Sequence, residues 1–456
     1  IDKNIPIDKS GCQTLTANAY LGAWGIKEAL DEGADIVVCP RVTDAAVVIG
    51  PAAWKFSWKR DDYDALAGAL AAGHIIECGC QATGGNYSFF KEVPSFDNVG
   101  YPIAEIKNDG SFYITKHPGT GGLVSTGTVT AQLLYEISAP AYLNPDVIAH
   151  FDTLNIEEVS KDRVYVSGCR GSSPTNTHKV CINLAGGYRN GMEFILTGID
   201  IEEKAQIISD ALFNSVGGKE QFDEVSILLD RTDKKDPNSN EEAMASLRIS
   251  VKSKDPDLVG RMFTAKMIEL ALANYPGFFT GGGVRSGGPV LVYWPALIDS
   301  KHIEETVHID GKEINVKPTN QLDLEETYYQ KQPIEIPPPP SGQTLNKPLG
   351  ELFGARSGDK GGCANIGVWA KNENAFSFLN NYLTVEKIKE LMPDIREFEI
   401  DRYELPNILS LNFYIHDILE DGVSSNTRKD GQAKSLGEYL RAKYADIPKS
   451  LFEENI

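Results

Sequence analysis

The stretch His74-Ile75-Ile76-Glu77-Cys78 packs several reactive side chains into five residues. Its spacing of three puts His74 and Glu77 on one helix face, an imidazole beside a carboxylate that could serve as an acid/base pair. Cys78, at the mouth of a glycine loop, offers a nucleophile. Cys78 and Cys80 near His74 also suggest metal ligands, but no second cysteine pair or nearby histidine completes a set of four, and no metal is expected. The plain alternative is a buried helix end whose small Cys and Gly residues pack against a sheet. Arg41 and Asp44 lie three apart at a strand-to-helix turn, where the guanidinium could hold a ligand carboxylate and the carboxylate could cap the helix. A simple local salt bridge would use the same two residues.

Four glycine-rich loops accompany these groups: Thr83-Gly84-Gly85-Asn86, His117-Pro118-Gly119-Thr120-Gly121-Gly122, Thr280-Gly281-Gly282-Gly283-Val284-Arg285-Ser286-Gly287-Gly288 and Arg356-Ser357-Gly358-Asp359-Lys360-Gly361-Gly362. Glycine allows positive φ and a close approach of backbone N–H groups, so such loops can cradle phosphate or carboxylate, and together they would suit an extended anion. Each is also what a tight turn or close packing requires. None has the spacing of a P-loop or of a dinucleotide-binding motif, so neither a nucleoside triphosphatase nor an NAD enzyme is supported, and no cofactor is expected. Lys116 and His117 add positive charge ahead of the second loop. Asn412 and His416 are even-spaced along a predicted strand and so share a face, as a satisfied network or as a site.

Elements must carry these residues. The spacing predicts a helix over Ala17 to Leu30, a β-branched strand over Ala34 to Cys39, a helix over Asp44 to Trp54 with Thr43 as N-cap, and a helix from Tyr63 to Glu77. Alternation of strand, loop and helix argues an α/β domain, with ligands at the strand ends where Arg41 and Asp44 fall. Ala104 to Lys116 reads as a hairpin and Thr128 to Ile137 as a helix. Strands are expected over Val164 to Ser167, His178 to Leu184, Met192 to Thr197, Val225 to Leu229 and Leu247 to Ser253. Helices are expected over Glu202 to Phe213 and Pro256 to Asn274, with a hairpin over His302 to Val316. These make an α+β continuation of the first domain. Four prolines, Pro337 to Pro340, form an extended linker, placed at 336–346, between a domain over 1–335 and a small one over 347–456. In the latter, strands over Leu349 to Gly354, Ala364 to Ala370, Glu397 to Tyr403 and Leu409 to Ile415 and helices over Val385 to Met392 and Lys434 to Tyr444 suit a ferredoxin-like α+β sandwich.

Hydrophobic residues make up 41% and charged residues 24% of 456 residues, close to an average globular domain. The 44 Lys and Arg against 64 Asp and Glu leave a formal charge of −20, which argues against nucleic acid or an anionic membrane as partner; an anionic ligand must be bound by local groups. No apolar stretch approaches the roughly 20 residues that span a bilayer, and Ile1 opens no secretory signal pattern. The seven cysteines, odd in number and set in apolar or glycine-rich contexts, suit a reducing cytoplasm or organelle matrix.

Taken together, Thr16-Ala17-Asn18-Ala19-Tyr20-Leu21-Gly22, Glu77 to Asn86, Lys116 to Gly122 and Arg356 to Gly362 resemble the acyclic terpene utilisation protein family, AtuA, over essentially the whole chain. The C-terminal part, with Leu411 to His416 and Ser435 to Glu438, resembles the family's ferredoxin-like domain. The resemblance implies a further N-terminal segment ahead of the Thr16 motif. It also implies catabolism of acyclic terpenes and branched acids alongside biotin-dependent acyl-CoA carboxylases, with an acyl-CoA or carboxylic acid as substrate. Cys80 and Cys363 depart from the family pattern, which weakens both as catalytic candidates.

The reading that follows is an enzyme of the lyase or hydratase type, with Glu77 and His74 as acid and base. Its candidate binding set is Arg41, Asp44, Gln81, Gly84, Gly85, Asn86, Lys116, His117, Gly119, Thr120, Gly121, Gly122, Arg356, Asp359, Lys360, Asn412 and His416. A hydrolase using Cys78, or a non-enzymatic partner of an acyl-CoA carboxylase, is the alternative, and a homo-oligomer is expected.

Overall fold

Helix Tyr63–Ile76 is built of Ala, Gly, Leu and Ile and is buried at nearly every position, as a helix apolar all round must be. Its glycines admit neighbours at backbone distance: a Cβ on Gly68 would overlap Gly110 O, and one on Gly73 would stand 2.8 Å from Ala45 Cα. Around it pack helices Trp24–Asp31, Ala46–Phe56 and Thr126–Leu133. An antiparallel sheet in the order Pro102–Ile106, Phe112–Lys116, Arg163–Ser167, Asn155–Ser160 covers another side. Ile49, Leu66, Leu70, Ile75, Ile114 and Phe151 form the centre of this core and are fully buried. The computed structural model describes residues 6–453 apart from 8–9, 284–285, 323, 325–326 and 331–332. Among the described residues no helix is long and apolar enough to cross a membrane.

A second sheet is organised by one strand of 21 residues, Thr177–Thr197. Its first half pairs with Thr14–Ala19 and Gly288–Asp299, its second half with Met244–Ser253. Glu224–Asp230 completes that edge. Two separate strands are expected here from the sequence, because Ala185-Gly186-Gly187-Tyr188-Arg189-Asn190-Gly191 looks like a loop. The chain instead stays extended through it, with Gly187 at φ 84° and the pairing register slipping between Pro289 and Leu291. Helices Ile201–Ser215 and Arg261–Leu270 cover the second half over Phe194, Leu196, Ile208, Leu212 and Phe263.

Several expectations need correction. Thr14–Ala19 is a strand and the helix begins only at Trp24, because pairing with Thr177–Thr197 outweighs the weak helical spacing of Ala17 to Gly22. Residues 34–39 carry no strand: no partner strand lies beside them among the described residues, and Ile36 and Val38 are 84% and 91% exposed. Thr43 and Asp44 do not cap the next helix, which begins at Ala46. The helix over 256–274 breaks at Gly260.

In the small domain, Gly354–Lys360, Cys363–Trp369, Ser410–Ile415 and Ile400–Leu405 form an antiparallel sheet in that spatial order. Helices Glu373–Tyr382, Val385–Leu391 and Leu436–Arg441 complete an α+β sandwich. Helix Glu373–Tyr382 is unanticipated; Asn372 caps it by accepting the Ala375 N–H at 2.8 Å. The expected strand over Leu349 to Gly354 is a 3-10 turn, Leu349–Glu351, and the predicted last helix ends at Arg441, ahead of strand Tyr444–Pro448.

Strand Cys363–Trp369 is buried at every position, so both of its faces are covered. Ala364, Ile366 and Val368 join the small domain's own core. On the other face Asn365 and Gly367 meet the large domain, and Trp369 enters that domain's core cluster. The two domains therefore meet across a buried interface, with Trp369, Leu405 and Ile408 of the small domain joining the large domain's core. A Cβ on Gly367 would stand 2.5 Å from Leu134 Cβ, so glycine there sets how closely the domains approach.

Candidate active site

The polar face of the small sheet forms one wall of the site. Along Gly354–Lys360 side chains alternate: Ala355 joins the domain core and Ser357 Oγ accepts the Gly437 N–H, while Arg356, Gly358 and Lys360 turn toward the large domain. The opposite wall comes from helix ends. Tyr63–Ile76 ends at Glu77, and the 3-10 turn Gly79–Thr83 that follows carries Gln81. Helix Thr126–Leu133, opened by a capping box between Ser125 and Thr128, runs into Tyr135 and Glu136. Glu136 takes a left-handed conformation, φ 56°, and its N–H donates to Asn365 Oδ1 at 3.0 Å.

These walls meet through specific contacts. Arg356 donates to Gln81 Oε1, with its guanidinium 4.3 Å over the Tyr135 ring. Lys434 donates to the Tyr135 hydroxyl and, at 3.0 Å, to Glu136 Oε1, with Asp359 Oδ1 at 3.5 Å. Lys360 Nζ lies 5.1 Å over the Tyr142 ring. Glu136, Asp44 and Glu77 all act on its charge, yet it makes no hydrogen bond or ion pair among the described residues.

Burial pushes Glu77 up to about 7, with Asp44 and Glu136 adding to the rise and the Cys78 hydrogen bond and Lys360 opposing it. The residue stands at the rim with much of its surface open, so it is the carboxyl tip that is crowded. Glu136 is also pushed up to about 7, by burial and then by Asp359, with Lys360 and Arg356 pulling the other way. For Lys360 burial works against the charge, but Tyr142, Glu136, Asp44 and Glu77 outweigh it and hold the ammonium above its usual range. Burial brings Lys434 below its usual range. The arrangement is two carboxyl groups pushed up to about 7 that both act on the charge of one ammonium held above its usual range. Such a set can remove one proton, deliver another and stabilise an oxyanion between them.

Of the residues singled out in the sequence, the structure brings together Glu77, Cys78, Asp44, Gln81, Arg356, Asp359 and Lys360. Arg41 reaches this group through Asp44, at 3.1 Å, and lies 4.2 Å over the Tyr20 ring. His74 does not belong to the pair expected with Glu77. It is buried against Tyr142 and Phe151, and burial lowers its pKa to about 3, too weak a base for proton exchange near neutral pH. Cys78 is hydrogen-bonded to Glu77 at 3.5 Å, and burial, then Glu77, push its thiol up to about 12, which leaves almost no thiolate.

Much of the backbone of the loops at Gly84 and Gly119 is already committed within the fold. The N–H groups of Gly84, Gly85, Gly121 and Gly122 donate to the carbonyls of Gln81, Cys80, Asn98 and Val99. Lys116 is satisfied by Thr120 O at 3.0 Å and Asp162 at 3.4 Å, and Thr120 Oγ1 donates to His117 O. Asn86 occupies a left-handed turn at φ 59°, and His117 is exposed. Asn412 and His416 are not brought together. Asn412 is buried among Asn365, Ile137 and Ser138, whereas His416 pairs with Asp401 at 2.9 Å. Among the described residues, Glu399, Asp401 and His416 form a group with metal-compatible spacing at one end of the small sheet. Val284 and Arg285 of the third glycine loop lie outside the described residues.

Glu136, Tyr135, Tyr142 and Lys434 escape a reading of the sequence. Tyr135 and Glu136 fall in what looks like the last turn of an ordinary helix, and Lys434 in what looks like the first turn of another. Only the docking of the two domains brings them together.

Residues 1–309 match the model of the acyclic terpene utilisation family protein AtuA, and residues 347–445 match that of the AtuA ferredoxin-like domain. Comparison with curated proteins and with solved structures gives no match.

Proposed function

The chain belongs to the acyclic terpene utilisation family AtuA, which implies a role in acyclic terpene utilisation, and from that premise we propose that it is an enzyme acting on a branched acyl-CoA or carboxylic acid by lyase- or hydratase-type proton transfer. In this reading Glu136, which accepts a hydrogen bond from Lys434 at 3.0 Å, is the base that removes a proton next to the substrate carbonyl. Lys360 stabilises the oxyanion that forms, and Glu77 delivers a proton to the departing hydroxyl, which leaves as water, or in the reverse direction takes one from the attacking water. Arg356 and Arg41 orient a substrate carboxylate. The observation that carries the reading is the ammonium of Lys360, without a hydrogen bond or ion pair among the described residues, acted on by two carboxyl groups pushed up to about 7.

The hydrolase alternative loses its chemical basis because Cys78 is held as a thiol. The test is solvent exchange. Branched acyl-CoA esters and the corresponding free acids are incubated with the protein in D2O and followed by mass spectrometry. Exchange next to the carbonyl is expected, with a loss of roughly 100-fold or more in Glu136→Gln and in Lys360→Met. Exchange that both variants retain in full would refute the assignment, and absence of exchange across the whole panel would refute proton transfer as the chemistry.

A further inference from the structure

Away from the acid/base site, a cleft of about 570 Å³ opens between the second sheet and the small domain's segment around 423–431. That is the size of a small-molecule site. Its charge runs against the rest of the protein: in a chain of formal charge −20, its lining carries Arg189, Arg248, Arg428 and Lys429 against the single carboxylate of Glu193. Lys429 and Arg428 are partnered by Asp230 at 3.2 Å and Asp394 at 3.5 Å. Arg189 and Arg248 are different. Their bonds go to backbone carbonyls, of Ser425 and Asn426 at 3.3 and 2.7 Å and of Thr427 at 3.3 Å, and neither forms an ion pair with a carboxylate among the described residues. A carbonyl orients a guanidinium without cancelling its charge, and each arginine has further N–H groups to offer.

Gly281, Gly282, Gly283 and Ser286 stand at the opposite lip. Gly282 and Gly283 line the cleft, and a Cβ on either would meet nothing within 4 Å. Met192 and Met267 supply an apolar, polarisable wall beside the cations.

We propose that this cleft binds the diphosphate group of a ligand, with Arg189 and Arg248 as the anion-holding pair. Two guanidiniums without ionic partners match two adjacent phosphates, and the methionine wall suits the ring of a nucleotide that carries them. The proposal rests on the cleft's own residues and not on the acid/base reading.

Calorimetric titration of the full chain with ADP, coenzyme A and inorganic diphosphate tests it. Binding is expected, and it should weaken as salt rises. Tighter binding of ADP or coenzyme A than of diphosphate supports a nucleotide as the source, and equal affinity supports free diphosphate. Gly282→Glu places a carboxylate in open space without removing any contact and should weaken binding at least tenfold, as should Arg248→Gln. A fold check by thermal melting separates loss of the site from loss of the protein; Gly282→Glu covers the case in which Arg248→Gln loosens the 423–427 segment. No binding of any of the three, or binding that Gly282→Glu leaves unchanged, overturns the proposal.

Discussion

Asn365→Leu tests whether the domain interface positions the acid/base site. Asn365 is fully buried. Its amide donates to Leu134 O and to Asn412 Oδ1, both at 2.7 Å, and its carbonyl accepts the Glu136 N–H at 3.0 Å. Leucine is close in size but strands those three groups in the buried interface. Each buried group left without a partner costs roughly 1–3 kcal/mol, which gives roughly 3–9 kcal/mol in total. Apolar burial of the leucine returns about 1.5–3 kcal/mol, and relaxation trims the remainder, so about 3 kcal/mol is expected.

The assay is urea unfolding followed by tryptophan fluorescence, since Trp369 stacks on Tyr87 at 6.2 Å across the interface and reports on domain docking. Asn412→Leu, alone and combined with Asn365→Leu, closes a double-mutant cycle. The Asn365–Asn412 bond is lost in either single variant, so the double variant should cost less than the sum by about 1 kcal/mol or more. A loss under about 1 kcal/mol for Asn365→Leu, or additivity within about 0.3 kcal/mol, would refute the claim that this amide chain holds the domains together.

Other outcomes follow from the same geometry. Glu136 has a folded pKa of about 7 against 4.5 in the unfolded chain, so its charge costs stability above pH 7 and that cost is relieved as pH falls from about 7 toward 4.5. Its side chain is 29% exposed and ion-paired to Lys434, which reduces a ceiling of about 3.4 kcal/mol to about 1 kcal/mol. Glu136→Gln should therefore raise the urea midpoint at pH 8 and leave it unchanged at pH 5; a midpoint lowered at pH 8 would contradict this. Cys78, with its thiol pushed up to about 12, should react with iodoacetamide far more slowly at pH 7.5 than a free thiol, and Cys78→Ala should keep full solvent exchange; rapid alkylation that abolishes exchange would restore the nucleophile. Gly367→Val places its branch against Leu134 Cβ, where even a Cβ stands at 2.5 Å, and should lower the thermal midpoint by the equivalent of about 1–3 kcal/mol; an unchanged midpoint would mean the domains are not pressed together there.

What the sequence hides about the site has one physical cause. Arg356-Ser357-Gly358-Asp359-Lys360 alternates polar and small residues, the pattern of a solvated loop or strand edge, and nothing in its composition says that the polar face is buried. The fact that buries it is long-range: Gly358, Asn365 and Gly367, on two paired strands of the small domain, fit against Leu134 to Glu136, more than 200 residues earlier in the chain. Within the elements, by contrast, the local signals were legible. The apolar run of Tyr63–Ile76, the hairpin around Asp109-Gly110 and three strands of the small sheet, Cys363–Trp369, Ile400–Leu405 and Ser410–Ile415, appear near where their residue types place them. Glu77 was readable for the same reason, as a carboxylate at the end of a helix too apolar to be anywhere but inside. Its partners were not, because Glu136 and the other domain's Lys360 come to stand beside it only through the docked fold. A lysine reads as a surface residue until a docked neighbour removes its water, and the same docking that raises Glu77 and Glu136 keeps that ammonium charged. The interface is therefore the functional unit, and a variant that loosens it without touching any of these three residues should move the exchange rate and the carboxyl titrations together.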